Sequence, residues 1–288
     1  MGSSSFAEFR EKTVIVTGAA GLVGSEVSAR LSFEPQCRLV RIGRNAVPGV
    51  DEICDLRSSP SCEALVSRLQ PDFVFHCAGT FSNHWKEDFD NNVNATHHML
   101  ASIRNHAPSA RIVIFGSAAE YGDSYVGAVA EDVPPRPISI YGVTKSMQSQ
   151  LVDFFHRVHG VNVVGARLFN LYGPGISQLL FPGRILKQID EVRKGVTGSV
   201  SVRSLAGSRD YIPVEEAVDL IFTVMRSGSC GEFYNVGSGH PTTNLDLLHK
   251  LLRDAGIPLD KISTEEVGTS PGTCAWADLS RLNALLVQ

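Results

Sequence analysis

The chain has 288 residues, 43% of them AVILMFWYC and 19% charged, with a net charge of −4. At about 150 residues per domain this is one large domain or two small ones. The composition supplies a core and excludes a disordered or low-complexity protein. The acidic balance argues against a strongly basic nucleic-acid binder. No apolar run reaches ~18 residues, so no transmembrane helix is expected.

The opening stretch, MGSSSFAEFREK, holds no apolar run of the signal-peptide kind. Phe6 stands where a myristoylation pattern needs Ser or Thr. Six cysteines (37, 54, 62, 77, 230 and 274) form no C-x-x-C pair. Nine histidines form no H-x-x-x-H pair on a clear helix, and the adjacent His97 and His98 point apart. The reading is a cytoplasmic protein with reduced thiols and no metal site.

Val14-Ile15-Val16 is a β-branched run ending in Thr17-Gly18. Residues 22–33 follow as a helix with Leu22, Val23, Val27 and Leu31 on one face. Residues 39–42 read as a second strand, 61–69 as a helix stopped by Pro71, and 73–76 as a third strand. A helix over 91–105 and a fourth strand over 111–115 come next. Residues 142–159 form a helix ended by Gly160, then 161–167 a fifth strand. This alternation predicts an α/β fold: a Rossmann-type doubly wound parallel sheet with helices on both faces.

From Leu171 the pattern changes. Tyr172-Gly173-Pro174-Gly175 is a loop, 181–195 a helix, 200–205 a strand and 207–210 a turn. Residues 214–225 are a helix, 234–236 a strand and 244–255 a helix. The expected division is a nucleotide-binding domain over 1–170, rejoined by 210–236. Residues 171–209 and 237–288 then make a smaller α+β substrate cap.

Three motifs carry chemistry. In Thr17-Gly18-Ala19-Ala20-Gly21-Leu22-Val23-Gly24 a strand turns into a helix, the setting a dinucleotide pyrophosphate needs. Gly18 permits the tight turn, Gly21 the approach of backbone to phosphate, and Gly24 close helix–strand packing. The second strand ends in Val40-Arg41-Ile42-Gly43-Arg44-Asn45, without the carboxylate that holds an NAD ribose. Arg44, with Arg41 near it, suits a 2′-phosphate, so NADP is expected, with NAD as the alternative. Asp55-Leu56 is placed to cap the adenine. In Tyr141-Gly142-Val143-Thr144-Lys145 helical spacing puts Tyr141 and Lys145 on one face. An ammonium and an oxidised nicotinamide nearby favour the phenolate, so Tyr141 is a candidate acid–base. Ser117, in Gly116-Ser117-Ala118-Ala119-Glu120-Tyr121-Gly122, falls just past a strand at the carboxyl edge, where such sheets bind ligands.

Together with His76-Cys77-Ala78-Gly79, Asn92, Arg167-Leu168-Phe169-Asn170, Arg209-Asp210-Tyr211 and Tyr234-Asn235-Val236-Gly237-Ser238-Gly239, these motifs resemble an extended short-chain dehydrogenase/reductase of the nucleotide-sugar epimerase/dehydratase family. The resemblance covers nearly the whole chain. It implies a catalytic triad of Ser117, Tyr141 and Lys145, with Lys145 also binding the nicotinamide ribose. It implies cofactor contacts from Gly18, Gly21, Leu22, Val23, Gly24, Arg44, Asp55, Leu56, Cys77, Ala78, Gly79, Asn92 and Leu168. On the substrate side it implies Ser117, Ala118, Asn170, Arg184 and Arg209, the last clamping the pyrophosphate of a nucleotide sugar. The helices over 91–105 and 142–159 resemble the family's dimer interface. Val143, Met147, Leu151, Phe154, Phe155 and Val158 spread wider than one core stripe, so a homodimer is expected.

Sugar dehydratases of the family carry an acidic residue just after the catalytic hydroxyl, and here Ala118 and Ala119 stand there. Glu120 comes one place too late. The runs 117–122 and 134–145 look most like the 4-keto-6-deoxy-sugar reductases, of the GDP-4-dehydro-6-deoxymannose reductase kind. A UDP-sugar 4-epimerase with retained NAD uses the same residues and is the alternative. A non-catalytic dinucleotide-binding regulator is the alternative of another class. Family chains run on beyond the region of 278–281, so a cap that is short, truncated or completed by a partner is expected.

Overall fold

The computed structural model describes residues 6–202, 205, 207–264 and 274–287. Its centre is a seven-stranded sheet: β1 (Thr13–Thr17), β2 (Arg38–Gly43), β3 (Glu52–Ile53), β4 (Phe73–His76), β5 (Arg111–Ser117), β6 (Asn162–Leu168) and β7 (Phe233–Val236). The order is β7-β6-β5-β4-β1-β2-β3, and every pairing is parallel. The strands are Val- and Ile-rich because both faces are covered. Chain order reverses between β1 and β4, which opens a crevice at the carboxyl ends of those strands.

Helices α1 (Leu22–Leu31) and α6 (Val214–Ser227) cover one face, over a core that includes Val27, Phe75, Ile221 and Phe222. Helices α2 (Ser59–Leu69), α3 (Ala95–His106) and α4 (Ile140–His159) cover the other, over Ile15, Leu65, Met99, Ile112 and Phe155. A third cluster, around Ile185, Ile189, Val200, Tyr211 and Leu248, joins α5 (Phe181–Arg193) to α7 (Asn244–Ala255) beyond the crevice.

The elements differ from the sequence expectation at their ends. Ser58 accepts from the Ser61 amide and starts α2 two residues early, with Pro60 in the first turn. Ser139 accepts from the Gly142 amide at 3.0 Å and starts α4 at Ile140, before the expected Gly142. Within the helix expected over 91–105, residues Phe89–Asn94 form a π-helical turn, and regular helix begins only at Ala95. The expected strand over 200–205 is seen as Val200–Val202, and 203 and 204 lie outside the described residues. Residues 237–288 are expected in the cap, yet Leu282 of the last helix, α8 (Ser280–Leu286), is buried in the α1/α6 core, so that helix packs on the central sheet unit.

Candidate active site

The parallel register gathers four strand ends. Thr17 lies beside His76 on β1 and β4, and Ser117 beside Leu168 on β5 and β6. At the first of these ends Gly18 has φ of +61°, and a Cβ there would lie 2.8 Å from the Ala78 amide nitrogen and the Cys77 carbonyl. A Cβ on Gly24 would lie 2.3 Å from the Gly18 carbonyl. Both positions therefore need glycine. Gly21 caps α1 with no side-chain acceptor for the first amides, so the Leu22–Val23 end of the helix keeps its positive dipole end without a side-chain cap.

Ser117 and Tyr141 meet because two turns abut. A Cβ on Gly142 would lie 2.4 Å from the Ala119 carbonyl, so only glycine after Tyr141 lets α4 start against the 118–120 turn. The Ser117 side chain works to lower the Tyr141 phenol, but burial outweighs it and pushes that phenol up to about 12, so at neutral pH Tyr141 holds its proton. The expected bias toward the phenolate is therefore absent from the protein's own groups. Glu120 and Asp88 also push Tyr141 upward. The Lys145 ammonium lies 5.8 Å from the tyrosine ring and donates to the Phe115 carbonyl and to Gln148 Oε1, each at 2.9 Å. Burial pulls Lys145 down to about 8, while Glu120, Asp88 and Cys77 resist.

Glu120 is the main residue missed from the sequence. It is fully buried. Its Oε1 accepts from the Ser117 amide at 2.8 Å, while Ser117 Oγ accepts from the Ala119 amide at 3.2 Å. Its Oε2 accepts from Ser149 at 2.6 Å and from Arg167 at 3.1 Å. Arg167 also donates to the Tyr121 hydroxyl at 2.7 Å and sits between the rings of Tyr121 and Phe233. The signal was legible: Ser117-Ala118-Ala119-Glu120 has the S-x-x-E spacing of a capping box, and the box forms.

A second buried carboxylate, Asp88, shapes the wall beside Tyr141. It accepts from Thr80 Oγ1, the Ser82 amide and hydroxyl, and the Asn83 amide, all within 3.0 Å. Asn83 Oδ1 accepts from the Tyr141 amide, and Phe81 sets its half-exposed ring edge-on to Tyr141 at 4.9 Å. Trp85, half-exposed at the start of the short helix Trp85–Asp88, stacks on Phe89 at 5.3 Å. The π-helical turn swings Asn92 inward. Its carboxamide is spent on Thr80 and Thr144 and sits against Gly79.

Just past the end of β2, Arg44 is exposed and donates to Asn91 Oδ1 at 3.1 Å. The expectation that Arg41 helps it does not hold: Arg41 is committed two-pronged to Asp51, at 2.9 and 2.6 Å. Asp55 is likewise held by Arg57, which keeps its carboxyl at about 2. Leu56 is buried, and its carbonyl lies 3.1 Å from His98 Nδ1.

Across the crevice Asn170 donates from its amide to the Asp210 carbonyl, and Asp210 turns its carboxylate inward onto Ser238, Gly239 and Ala277. Arg184 and Arg209 both act on Tyr211, whose hydroxyl burial pushes up and these two cations pull down. Their own hydrogen bonds go elsewhere, Arg184 donating to the Leu179 carbonyl at 3.0 Å and Arg209 to the Ser208 carbonyl at 2.8 Å. Ala118 packs beside Tyr121. Among the described residues no cluster of His, Cys, Asp or Glu fits a metal, and no helix is long and apolar enough to cross a membrane.

Comparison with known proteins places this arrangement. The sequence model described as "NAD dependent epimerase/dehydratase family" matches residues 14–237. A dTDP-6-deoxy-L-talose 4-dehydrogenase (NAD(P)(+)) of Kitasatospora kifunensis is 27% identical over 92% of this chain and 86% of its own. The solved structure of RMD from Pseudomonas aeruginosa, complexed with NADPH, superposes with a TM-score of 0.81 at 23% identity, over 95% of this chain and 90% of that one. UDP-glucose 4-epimerase of Thermotoga maritima, with UDP-glucose, gives 0.81 at 21% identity over 94% and 91%.

Proposed function

Because the chain belongs to the NAD dependent epimerase/dehydratase family, we propose that this protein is an NADP(H)-dependent reductase of a nucleotide-linked 4-keto-6-deoxy sugar. The observation that carries the reading is the close seating of the start of α4 on the 118–120 turn, which sets a protonated Tyr141 phenol beside Ser117 at the carboxyl edge of the sheet. That phenol is a proton donor in waiting, which is what reduction of a ketone requires. Ala118 and Ala119 stand where a dehydratase needs carboxylates, which supports reduction over elimination.

The residues fit a dinucleotide. The uncapped start of α1 suits a pyrophosphate. Lys145 spends two of its three protons on Phe115 and Gln148, so the third is available to a ribose hydroxyl. Arg44, alone at the end of β2 without Arg41, takes the 2′-phosphate. When bound, the nicotinamide supplies hydride to the sugar carbonyl carbon. Ser117 donates to the carbonyl oxygen and orients it, and Tyr141 delivers the proton to that oxygen as it gains charge. Lys145 stabilises the phenolate left behind. Arg209, Arg184 and Asn170 hold the diphosphate, and this remote binding fixes the sugar for attack.

The proposed assembly is a homodimer through α3 and α4, on which Phe154 and Val158 are exposed. Light scattering that gives a monomer at working concentration overturns it.

The deciding experiment identifies the nucleotide released on denaturing the purified protein and titrates that protein with NADPH and NADH. Tighter NADPH binding without retained NAD, and NADPH consumption on adding a nucleotide-linked 4-keto-6-deoxy sugar, is the expected result. Stoichiometric retained NAD replaces the reading with the 4-epimerase, and no binding of either replaces it with the non-catalytic one.

A further inference from the structure

Behind Lys145 lies a chain of buried polar groups that the reaction above does not use. Gln148 follows Lys145 by one helical turn on α4 and is 1% exposed. Its Oε1 accepts from Lys145 Nζ at 2.9 Å, and its Nε2 donates to Thr96 Oγ1 at 2.6 Å. Thr96 Oγ1 donates its own proton to the Asn92 carbonyl at 2.7 Å and lies 3.2 Å from His76 Nε2. His76 Nδ1 lies 3.1 Å from Thr17 Oγ1, which accepts from the Ala78 amide at 3.1 Å.

The Thr96 proton is assigned to the Asn92 carbonyl, the shorter of its two acceptor contacts, which leaves Thr96 accepting from His76 Nε2 and His76 Nδ1 accepting from the Thr17 hydroxyl. Burial, with the Lys145 charge added, pulls the imidazole down to about 3, so it stays neutral at working pH. Gln148 is left one orientation. Reversing its carboxamide sets an NH2 group against the ammonium and a carbonyl against a hydroxyl oxygen with no proton to give. An unmet pair of that kind in a dry interior is costly.

From this geometry we infer that Gln148 is a positioning residue for Lys145. Its carboxamide, fixed by Thr96, His76 and Thr17, holds the ammonium at the catalytic edge and ties it to the turn at Ala78 that receives the dinucleotide. The inference rests on the reading of Tyr141 and Lys145 as the reacting pair. An amide so held does not pass protons, so the chain orients Lys145 and does not recharge it. The other groups facing Lys145 are the carboxylates of Glu120 and Asp88, the Cys77 thiol, the neutral His76 and the Tyr141 phenol. None of them is altered by a substitution at 148.

The test follows Lys145 directly. The lysine side-chain 13C signals of the dinucleotide-free protein are titrated by NMR, with Lys145 assigned through Lys145→Arg. Gln148→Met removes an acceptor and is expected to lower the Lys145 midpoint by about one pH unit. Gln148→Glu adds a carboxylate and is expected to raise it by about one unit or more. NADPH binding is expected to weaken about tenfold in Gln148→Met and to stay within about threefold in Gln148→Glu, where an acceptor remains. A purely structural role moves Tm but gives no opposite shifts. An unchanged Lys145 midpoint in both variants, with native-like spectra, overturns the inference. Should Gln148→Met fail to fold, the upward shift in Gln148→Glu decides alone: present, it supports the role, and absent, it refutes it. This readout needs no turnover, so it stands apart from the reductase reading, which Tyr141→Phe tests separately.

Discussion

The two sides of the crevice are built on different physical terms. On the Rossmann side the chemical groups are buried and their bonds are met: Glu120, Asp88, Asn92, Gln148 and His76 each spend their polar atoms on named partners. Ser102 Oγ and Arg167 Nε are the exceptions, buried without a hydrogen-bond partner among the described residues, though the Arg167 guanidinium lies against two aromatic rings. On the cap side the cations Arg184 and Arg209 are exposed, the first on α5 and the second on a two-residue strand, and the strands there pair over only two or three residues. Buried, satisfied networks have one low-energy arrangement, whereas exposed guanidiniums are screened and adjustable. On the proposed function, the comparison teaches where each property would reside: the reaction on the rigidly preorganised side, and the choice of substrate on the softer one.

Several substitutions break that contrast if it is wrong. The largest effect is expected from Tyr141→Phe, which removes the proton donor. The reduction rate should fall by about 10²–10⁴-fold, with NADPH affinity nearly unchanged. Turnover kept within tenfold would move the acid to another residue.

Next is Glu120→Ala, which strands the buried Arg167 and frees the Ser117 amide. Chemical denaturation should show a loss of about 3–5 kcal/mol. Glu120→Gln, which keeps an acceptor for Ser117, should lose less. Equal losses in the two variants would mean that the charge, not the capping bond, is what the corner depends on.

The buried imidazole gives the acid-side signature. His76 has a folded value of about 3 against an ordinary 6.5. Between those values the unfolded chain binds more protons, so stability is complete above about pH 6.5 and falls as pH drops toward 3, by a few kcal/mol at most. His76→Gln should flatten the dependence of the urea midpoint on pH over that window. An unchanged slope would place the acid sensitivity elsewhere.

The smallest effects belong to the exposed cations. Arg209→Ala should raise KM for the nucleotide sugar by about tenfold at nearly constant kcat, the mark of lost uniform binding. Arg44→Ala should weaken NADPH by about tenfold and leave NADH unaffected. Loss of both cofactors alike would show that Arg44 does not read the 2′-phosphate.

Much of this molecule was legible in its residues. The Thr17–Gly24 turn, the Tyr141–Lys145 pair and Ser117 come from local rules: a strand must turn, a helix repeats every 3.6 residues, and glycine alone permits a close approach. Those rules determined the parallel sheet, its order of strands and helices, and the groups at its carboxyl edge. Tertiary structure decided the rest, because it depends on which atoms are left facing one another once water is excluded. Glu120 looked misplaced by one position until burial against Arg167 made it the anchor of Ser117. Arg41 and Arg44, three residues apart, parted company because Asp51 lies beside only the first. The charge states of Tyr141, Lys145 and His76 belong to no sequence pattern, since desolvation is a property of the packed interior.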